Sequence, residues 1–316
     1  MKQMKRTQAT KKKIQLSLFI LGAGLCIIPF VQPPIALLAG FFLTLMIGNP
    51  FLKLQKKVTK YLLQASVVGL GFGMNMHEAF EVGKSGLIFT VISISLTIGI
   101  GLLLGKLFAT PKRTSILVST GTAICGGSAI AAMAPIIEAR EDETSVSLGI
   151  IFLLNSIALL IFPILGELFQ MTQGQFGLWS AIAIHDTSSV VGAAHKYGEE
   201  ALKIATTVKL ERALWIIPVS LITSLLMKTS KRKISIPYFI FLYVVAIIIN
   251  SIVPAFETIG PHIAYIAKRC LVVTLFLIGA GLTKEALKTI GIKPLIQGVL
   301  LWIFISVFSL AVILMV

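Results

Sequence analysis

The chain has 316 residues, of which 56% are hydrophobic and 13% charged, with a mean hydropathy of +0.93. A soluble domain is about 25% charged, so a single water-bathed globular core is excluded and lipid must solvate much of the surface. The net charge of +15 comes from 28 Lys and Arg against 13 Asp and Glu. Its basic residues cluster at 2–13, 53–60, 112–113, 228–233 and 284–293, between apolar runs. That is the distribution of cytoplasmic loops, and it argues against nucleic acid as a partner because the clusters lack interleaved aromatics.

In chain order, apolar runs fall at 14–31, 35–52, 61–78, 86–108, 114–137, 145–168, 176–195, 204–227, 236–254, 264–283 and 294–315. About 20 apolar residues cross a bilayer as a helix. The fold class is therefore an all-α membrane protein of nine to eleven transmembrane helices. Residues 1–13 form a basic cytoplasmic N-terminus and 14–316 a single polytopic domain. The first run lacks a small-residue cleavage site and reads as a first transmembrane helix, not a removable signal. With the N-terminus inside, the basic loops all fall inside, the acidic turn at 78–81 falls outside, and so does the C-terminus. The expected location is the bacterial inner membrane.

Runs 114–137 and 176–195 differ from the rest. One carries Thr120-Gly121-Thr122-Ala123-Ile124-Cys125-Gly126-Gly127-Ser128 and the other His185-Asp186-Thr187-Ser188-Ser189. Clustered small and polar residues at membrane depth predict interrupted helices that line a cavity or pack in protein. Each is either a re-entrant hairpin or a broken helix crossing the whole bilayer.

Two self-similarities accompany them. Residues 69–75 resemble 277–283, and 123–130 align with 183–190. The offsets, about 208 and 60, differ as a circularly permuted pair of repeats would require, the alternative being coincidence in Gly-rich membrane sequence. Runs 2 to 6 then match runs 9, 10, 11, 7 and 8 as an inverted repeat, provided the two irregular runs are hairpins entering from opposite faces.

The irregular segments carry the expected substrate site: Cys125, Gly126, Gly127, Ser128, Asp186, Thr187 and Ser188. Each segment leads into a helix, whose first turn offers free N–H groups and the positive dipole end. Two such starts meeting at the midplane suit an anion, although small residues also serve helix packing. His185 and Asp186 are an ionisable pair inside an apolar run, where such groups default to function. They are the candidate coupling groups for a proton or sodium ion, the bland alternative being a helix cap beside an interfacial histidine. Thr122, Asn155, Lys209, Glu211 and Arg212 are candidate cavity-lining residues; Lys209, Glu211 and Arg212 equally suit the outer interface, where long side chains snorkel. Asn49, Asn75 and Asn250 read as caps at span ends. Three cysteines and four histidines are scattered, so no metal or other cofactor is expected. No Walker, H-E-x-x-H or G-x-S-x-G motif is present, which disfavours ATP hydrolysis and enzymatic chemistry generally.

Residues 119–132, with 183–194 and 205–215, resemble the YeiH-type family of bacterial inner-membrane proteins, over nearly the whole chain. The family's label assigns it sulfate export, so the resemblance implies a secondary transporter of a small anion. More distantly, Cys125-Gly126-Gly127-Ser128 with Ser145-Val146-Ser147 resembles the crossing-helix region of bile-acid–sodium symporter-like carriers, without the proline that precedes the paired glycines there. The expected partners are a small anionic solute, the lipid bilayer, and sodium or protons; a homodimer is compatible with the sequence. Rival readings are a channel, a partner-binding membrane subunit, or a membrane-embedded enzyme using His185, Asp186 and Ser188 or Cys125.

Overall fold

The computed structural model describes residues 15–49, 51–227, 238–281 and 291–315. The expected basic N-terminus (1–13), the 228–233 cluster and most of the 284–293 cluster lie outside them. The described residues form α-helices without strands. In order these are α1 (Gln15–Leu25), α2 (Pro33–Ile47), α3 (Leu52–Gly71), α4 (Met76–Leu107), α5 (Lys112–Ala123), α6 (Gly127–Ile136), α7 (Glu141–Leu168), α8 (Gln173–Ala183), α9 (Thr187–Tyr197), α10 (Glu199–Leu214), α11 (Ile216–Leu226), α12 (Tyr238–Ile252), α13 (Ala255–Gly281) and α14 (Ile292–Met315). Four stretches are long and apolar enough by themselves to cross a membrane: Ile88–Leu107, Glu141–Leu168, Ala255–Gly281 and Ile292–Met315. Large apolar side chains are exposed on them, Ile88 at 72% and Leu103 at 65% among others, as lipid-facing surfaces require.

Local chemistry sets several helix ends. Thr172 and Gln175 form a capping box at the start of α8, with Gln175 N donating to Thr172 Oγ1 at 3.2 Å and Thr172 N to Gln175 Oε1 at 3.1 Å. Glu143 accepts from Arg140 N at 2.8 Å, and Glu141, Asp142 and Glu143 fill the first turn of α7, where the dipole favours negative charge. Pro218 has no N–H for the Leu214 carbonyl and crowds it, so α10 stops at Leu214 and α11 continues after Trp215.

The order of contacts along α14 fixes the direction of its neighbours. Gln297 Nε2 donates to Ser115 Oγ at 2.9 Å and lies 3.3 Å from Ser119 Oγ. Further along, the Trp302 ring lies 6.5 Å from that of His185, and Ser306 O accepts from Trp179 Nε1 at 3.0 Å. Helix α8 therefore runs against α14. On α7, Ile150 packs on Gly298, whereas Phe162 stacks 6.1 Å from Trp302, so α7 runs with α14. Lys112 and Glu141 consequently share one end of the bundle, and Leu168 and Gln173 share the other.

Each irregular run thus turns back on itself. Ile130 of α6 packs on Gly121 of α5. Tyr197 of α9 stacks on Phe176 of α8 at 3.8 Å and donates to Met171 O at 2.6 Å, while Gln173 Oε1 accepts from Glu200 N at 3.0 Å. The arms are 12 and 10 residues in α5 and α6 and 11 each in α8 and α9, roughly 15–18 Å at helical rise.

The segments joined by the 208-residue offset make matching contacts. Gly279 on α13 lies against the Leu37 backbone of α2, and Gly71 on α3 lies against the Tyr243 carbonyl of α12. Thr44 Oγ1 donates to Ala280 O at 2.8 Å and Asn250 Nδ2 to Met74 O at 3.0 Å. Asn250 is therefore a tie between elements instead of a cap; Asn75 does cap, accepting from His77 N at 2.8 Å, and Asn49 accepts from Phe51 N at 3.0 Å. A Cβ on Gly279 would drive into backbone, whereas one on Gly24 meets nothing within 4 Å. Gly279→Ala should lower the melting temperature by the equivalent of about 1–3 kcal/mol of overpacking, and Gly24→Ala should leave it unchanged or raise it slightly. Thermal unfolding of the two variants in one detergent checks this.

Candidate functional site

The two hairpin tips meet. At Gly126 the backbone has φ +64°, a conformation open to glycine and costly for other residues. A Cβ there would stand 3.2 Å from Ile151 Cγ2 and 3.3 Å from Asp186 Cβ. Gly126 N donates back to Gly121 O at 2.8 Å, closing the end of α5. Cys125, 1% exposed, sits beside it. The second tip spans Ile184 to Asp186. Asp186 caps α9: its carboxylate accepts from Ser188 N at 3.2 Å and from Ser188 Oγ. Helix α6 begins at Gly127 and α9 at Thr187.

The neighbouring helices supply polar side chains to both tips. Asn155 of α7, 3% exposed, accepts through Oδ1 from His185 N at 3.1 Å and Asp186 N at 3.2 Å. Lys209 of α10 donates through Nζ to Ile184 O at 2.7 Å and Ala181 O at 3.2 Å. Arg212, one turn further, donates through Nη1 to Ser93 Oγ of α4 at 2.7 Å and through Nη2 to Ala123 O. Lys209 and Arg212 are both 0% exposed, so the interfacial snorkelling option for them is overturned. The reason is that α10 starts at Glu199 and not near residue 204, which places the two cations roughly three to three and a half turns inside the helix. Orphan carbonyls at a helix C-terminus need donors, and each first arm receives one from α10.

The other candidates divide. His185 and Thr122 are 0% exposed, and neither the imidazole nitrogens nor Thr122 Oγ1 has a hydrogen-bond partner. Glu211 is half-buried with both carboxylate oxygens unpartnered. Thr187 is 7% exposed and Ser188 0%, so both join the tip, and Asp186 is half-buried. Ser128 lies apart from this group, on an exposed face of α6 with Ala131 and Pro135. A small cavity of about 40 Å³ lies nearer the Thr172 end, between α3, α10, α12 and α13, and touches no tip residue. Glu199 and Lys268, which line it, form an ion pair.

Three contributors escaped sequence reasoning: Ser93, Trp302 and Gln297. Each lies in an apolar run that holds other hydroxyl residues, such as Thr90, Ser95 and Thr97 beside Ser93 or Ser306 and Ser309 beyond Gln297 and Trp302, and only its contact with a distant helix sets it apart.

Comparison with known proteins places the chain among membrane proteins. The family model described as conserved hypothetical protein 698 matches residues 14–298. A UPF0324 membrane protein from Bacteroides thetaiotaomicron is 54% identical over 89% of this chain and 86% of its own length. Others from Geobacter sulfurreducens (50%, covering 92% and 94%) and Photobacterium profundum (50%, covering 95% and 92%) are similarly close. No solved structure matches. The YeiH-type resemblance carried by residues 119–132, 183–194 and 205–215 is borne out.

Proposed function

This chain belongs to the conserved hypothetical protein 698 family of membrane proteins, and from that premise we propose that it is a secondary transporter of a small anion, with sulfate or a related organic or inorganic anion as its substrate. The observation that carries the reading is the meeting of two helix-hairpin tips, Gly126 against Asp186, with two buried cations delivered by one helix. The first turns of α6 and α9 begin at that junction and direct their positive dipole ends toward it. A small anion would sit between these helix starts, held by the backbone around Gly126 and Gly127 and by Thr187 and Ser188. Asp186 and His185 are the groups through which a proton or ion would couple.

Among the described residues, α1, α2, α3, α4, α7, α10 with α11, α12, α13 and α14 are read as nine crossings. The pairs α5–α6 and α8–α9 are re-entrant from opposite faces. Helices α2 to α7 and α12 to α14 with α8 to α11 then form two units of opposite direction, an inverted repeat suited to alternating access. The N-terminus is cytoplasmic, the C-terminus outside, and the protein resides in the bacterial inner membrane. No catalysis is assigned to it.

Purified protein in liposomes should exchange labelled sulfate or a small sulfonate against the unlabelled anion, saturably. Asp186→Asn should abolish or severely slow that exchange, because its neutral side chain cannot reproduce the cap charge or a proton cycle. Failure of every small anion to exchange would refute the carrier reading, and non-saturating flux would point to a channel.

A further inference from the structure

Interrupted-helix carriers commonly complete their half-helix C-termini with a mobile cation, because the last-turn carbonyls point into the cavity without donors. At the end of α8, Ser180 O is taken by Ile184 N at 3.0 Å. Ala181 O and Ile184 O are taken by Lys209 Nζ, at 3.2 and 2.7 Å. At the end of α5, Thr120 O is taken by Ile124 N at 3.1 Å and Gly121 O by Gly126 N at 2.8 Å. Ala123 O is taken by Arg212 Nη2. Both arms are thus closed by side chains of the same helix. Lys209 and Arg212 lie three residues apart, on one face of α10.

We infer that Lys209 and Arg212 are tethered counter-cations of the two hairpin tips, standing where an exchangeable monovalent cation would otherwise bind, so that this carrier needs no sodium. Two facts carry the inference beyond ordinary helix capping. Both side chains are 0% exposed, and a charge is placed that deep only where it meets partners and a task. The supply is also asymmetric: α7, which stands to the α5–α6 hairpin in chain order as α10 stands to α8–α9, brings the neutral Asn155 to the tips. The tip region therefore carries the Lys209 and Arg212 cations, both from α10, set against the one carboxylate of Asp186, and Asn155 of α7 adds no charge. A sodium ion entering it would find Ala181 O, Ile184 O and Ala123 O already engaged by Lys209 and Arg212 and would be repelled by both cations. An anion would be attracted by the same charges, which is how the arrangement selects the sign of its cargo.

The inference deepens the carrier reading and rests on it only for transport; the binding test stands alone. Melting of the purified wild type is compared in sodium, potassium and N-methylglucamine chloride at equal ionic strength. The melting temperature should be the same in all three, whereas a saturable rise of about 3 °C or more in sodium would overturn the inference. Lys209→Ala should melt lower and recover with methylammonium, a free cation small enough for the vacated position. Lys209→Arg, which keeps a tethered charge, should show no methylammonium response. If Lys209→Ala does not accumulate, the wild type and Lys209→Arg still decide, since sodium stabilisation of either contradicts the assignment. A folded Lys209→Ala indifferent to methylammonium also contradicts it. In liposomes, anion exchange should proceed at the same rate without sodium. Absence of exchange in every medium would instead remove the carrier reading and leave the melting results to judge the cations.

Discussion

Replacing Arg212 with leucine is expected to abolish anion exchange and to destabilise the protein by about 2–5 kcal/mol. The estimate follows from what the guanidinium holds. Its Nη1 meets Ser93 Oγ at 2.7 Å and its Nη2 meets Ala123 O, in a place with no solvent to substitute. Leaving a buried acceptor unmet costs about 1–3 kcal/mol, and two are left, with a smaller side chain in the same space. Arg212→Lys should recover little, because one ammonium cannot reproduce the fork that reaches both partners. Ser93→Ala removes one partner only and should cost less than either. Ranking the three variants by melting temperature, beside exchange rates in liposomes, checks the argument. Wild-type flux in Arg212→Leu would show that the arginine is merely a packing element.

The second large effect is expected at the opposite side of the tip contact. Gly126→Ala must adopt φ +64°, ψ −123° with a methyl group 3.2 Å from Ile151 and 3.3 Å from Asp186. Holding a non-glycine residue in such a conformation costs about 1–3 kcal/mol. The functional loss should exceed that, because the methyl would separate the two tips. Gly99→Ala is the control: a Cβ there, on an exposed face of α4 away from both tips, meets nothing within 4 Å. Exchange should fall sharply in Gly126→Ala and persist in Gly99→Ala. Equal behaviour of the two variants would contradict the tip-to-tip contact as the working element.

Much of this architecture was legible in the sequence. The apolar runs located the helices, and the two irregular runs were singled out by small and polar residues alone. The likeness of 69–75 to 277–283 has a counterpart in the structure, where Gly71 and Gly279 each lie against the backbone of a neighbouring helix. What the sequence left open was whether the irregular runs return or continue. That depends on contacts far apart in the chain, such as Trp179 with Ser306 and Phe176 with Tyr197, which local composition does not encode. Whether Lys209 and Arg212 lie at the interface or in the interior is left open by the sequence for a physical reason. Hydropathy marks the start of apolar side chains, whereas α10 begins earlier, in the polar Glu199-Glu200 turn whose charges favour a helix N-terminus. Ser128, by contrast, is misplaced: next to paired glycines it reads as part of the tip, but helical rotation from Gly127 turns it to the exposed face.

The claim that the two tips together hold the transported anion is tested most directly at Cys125, the native thiol of the first tip. Cys26 and Cys270 are replaced by serine, and labelling of Cys125 by a small membrane-permeant thiol reagent is followed in liposomes as the exchanged anion is added. The account predicts that labelling slows with anion concentration, half-maximally where exchange is half-saturated. Labelling indifferent to an anion that the same liposomes exchange would place the solute elsewhere in the protein.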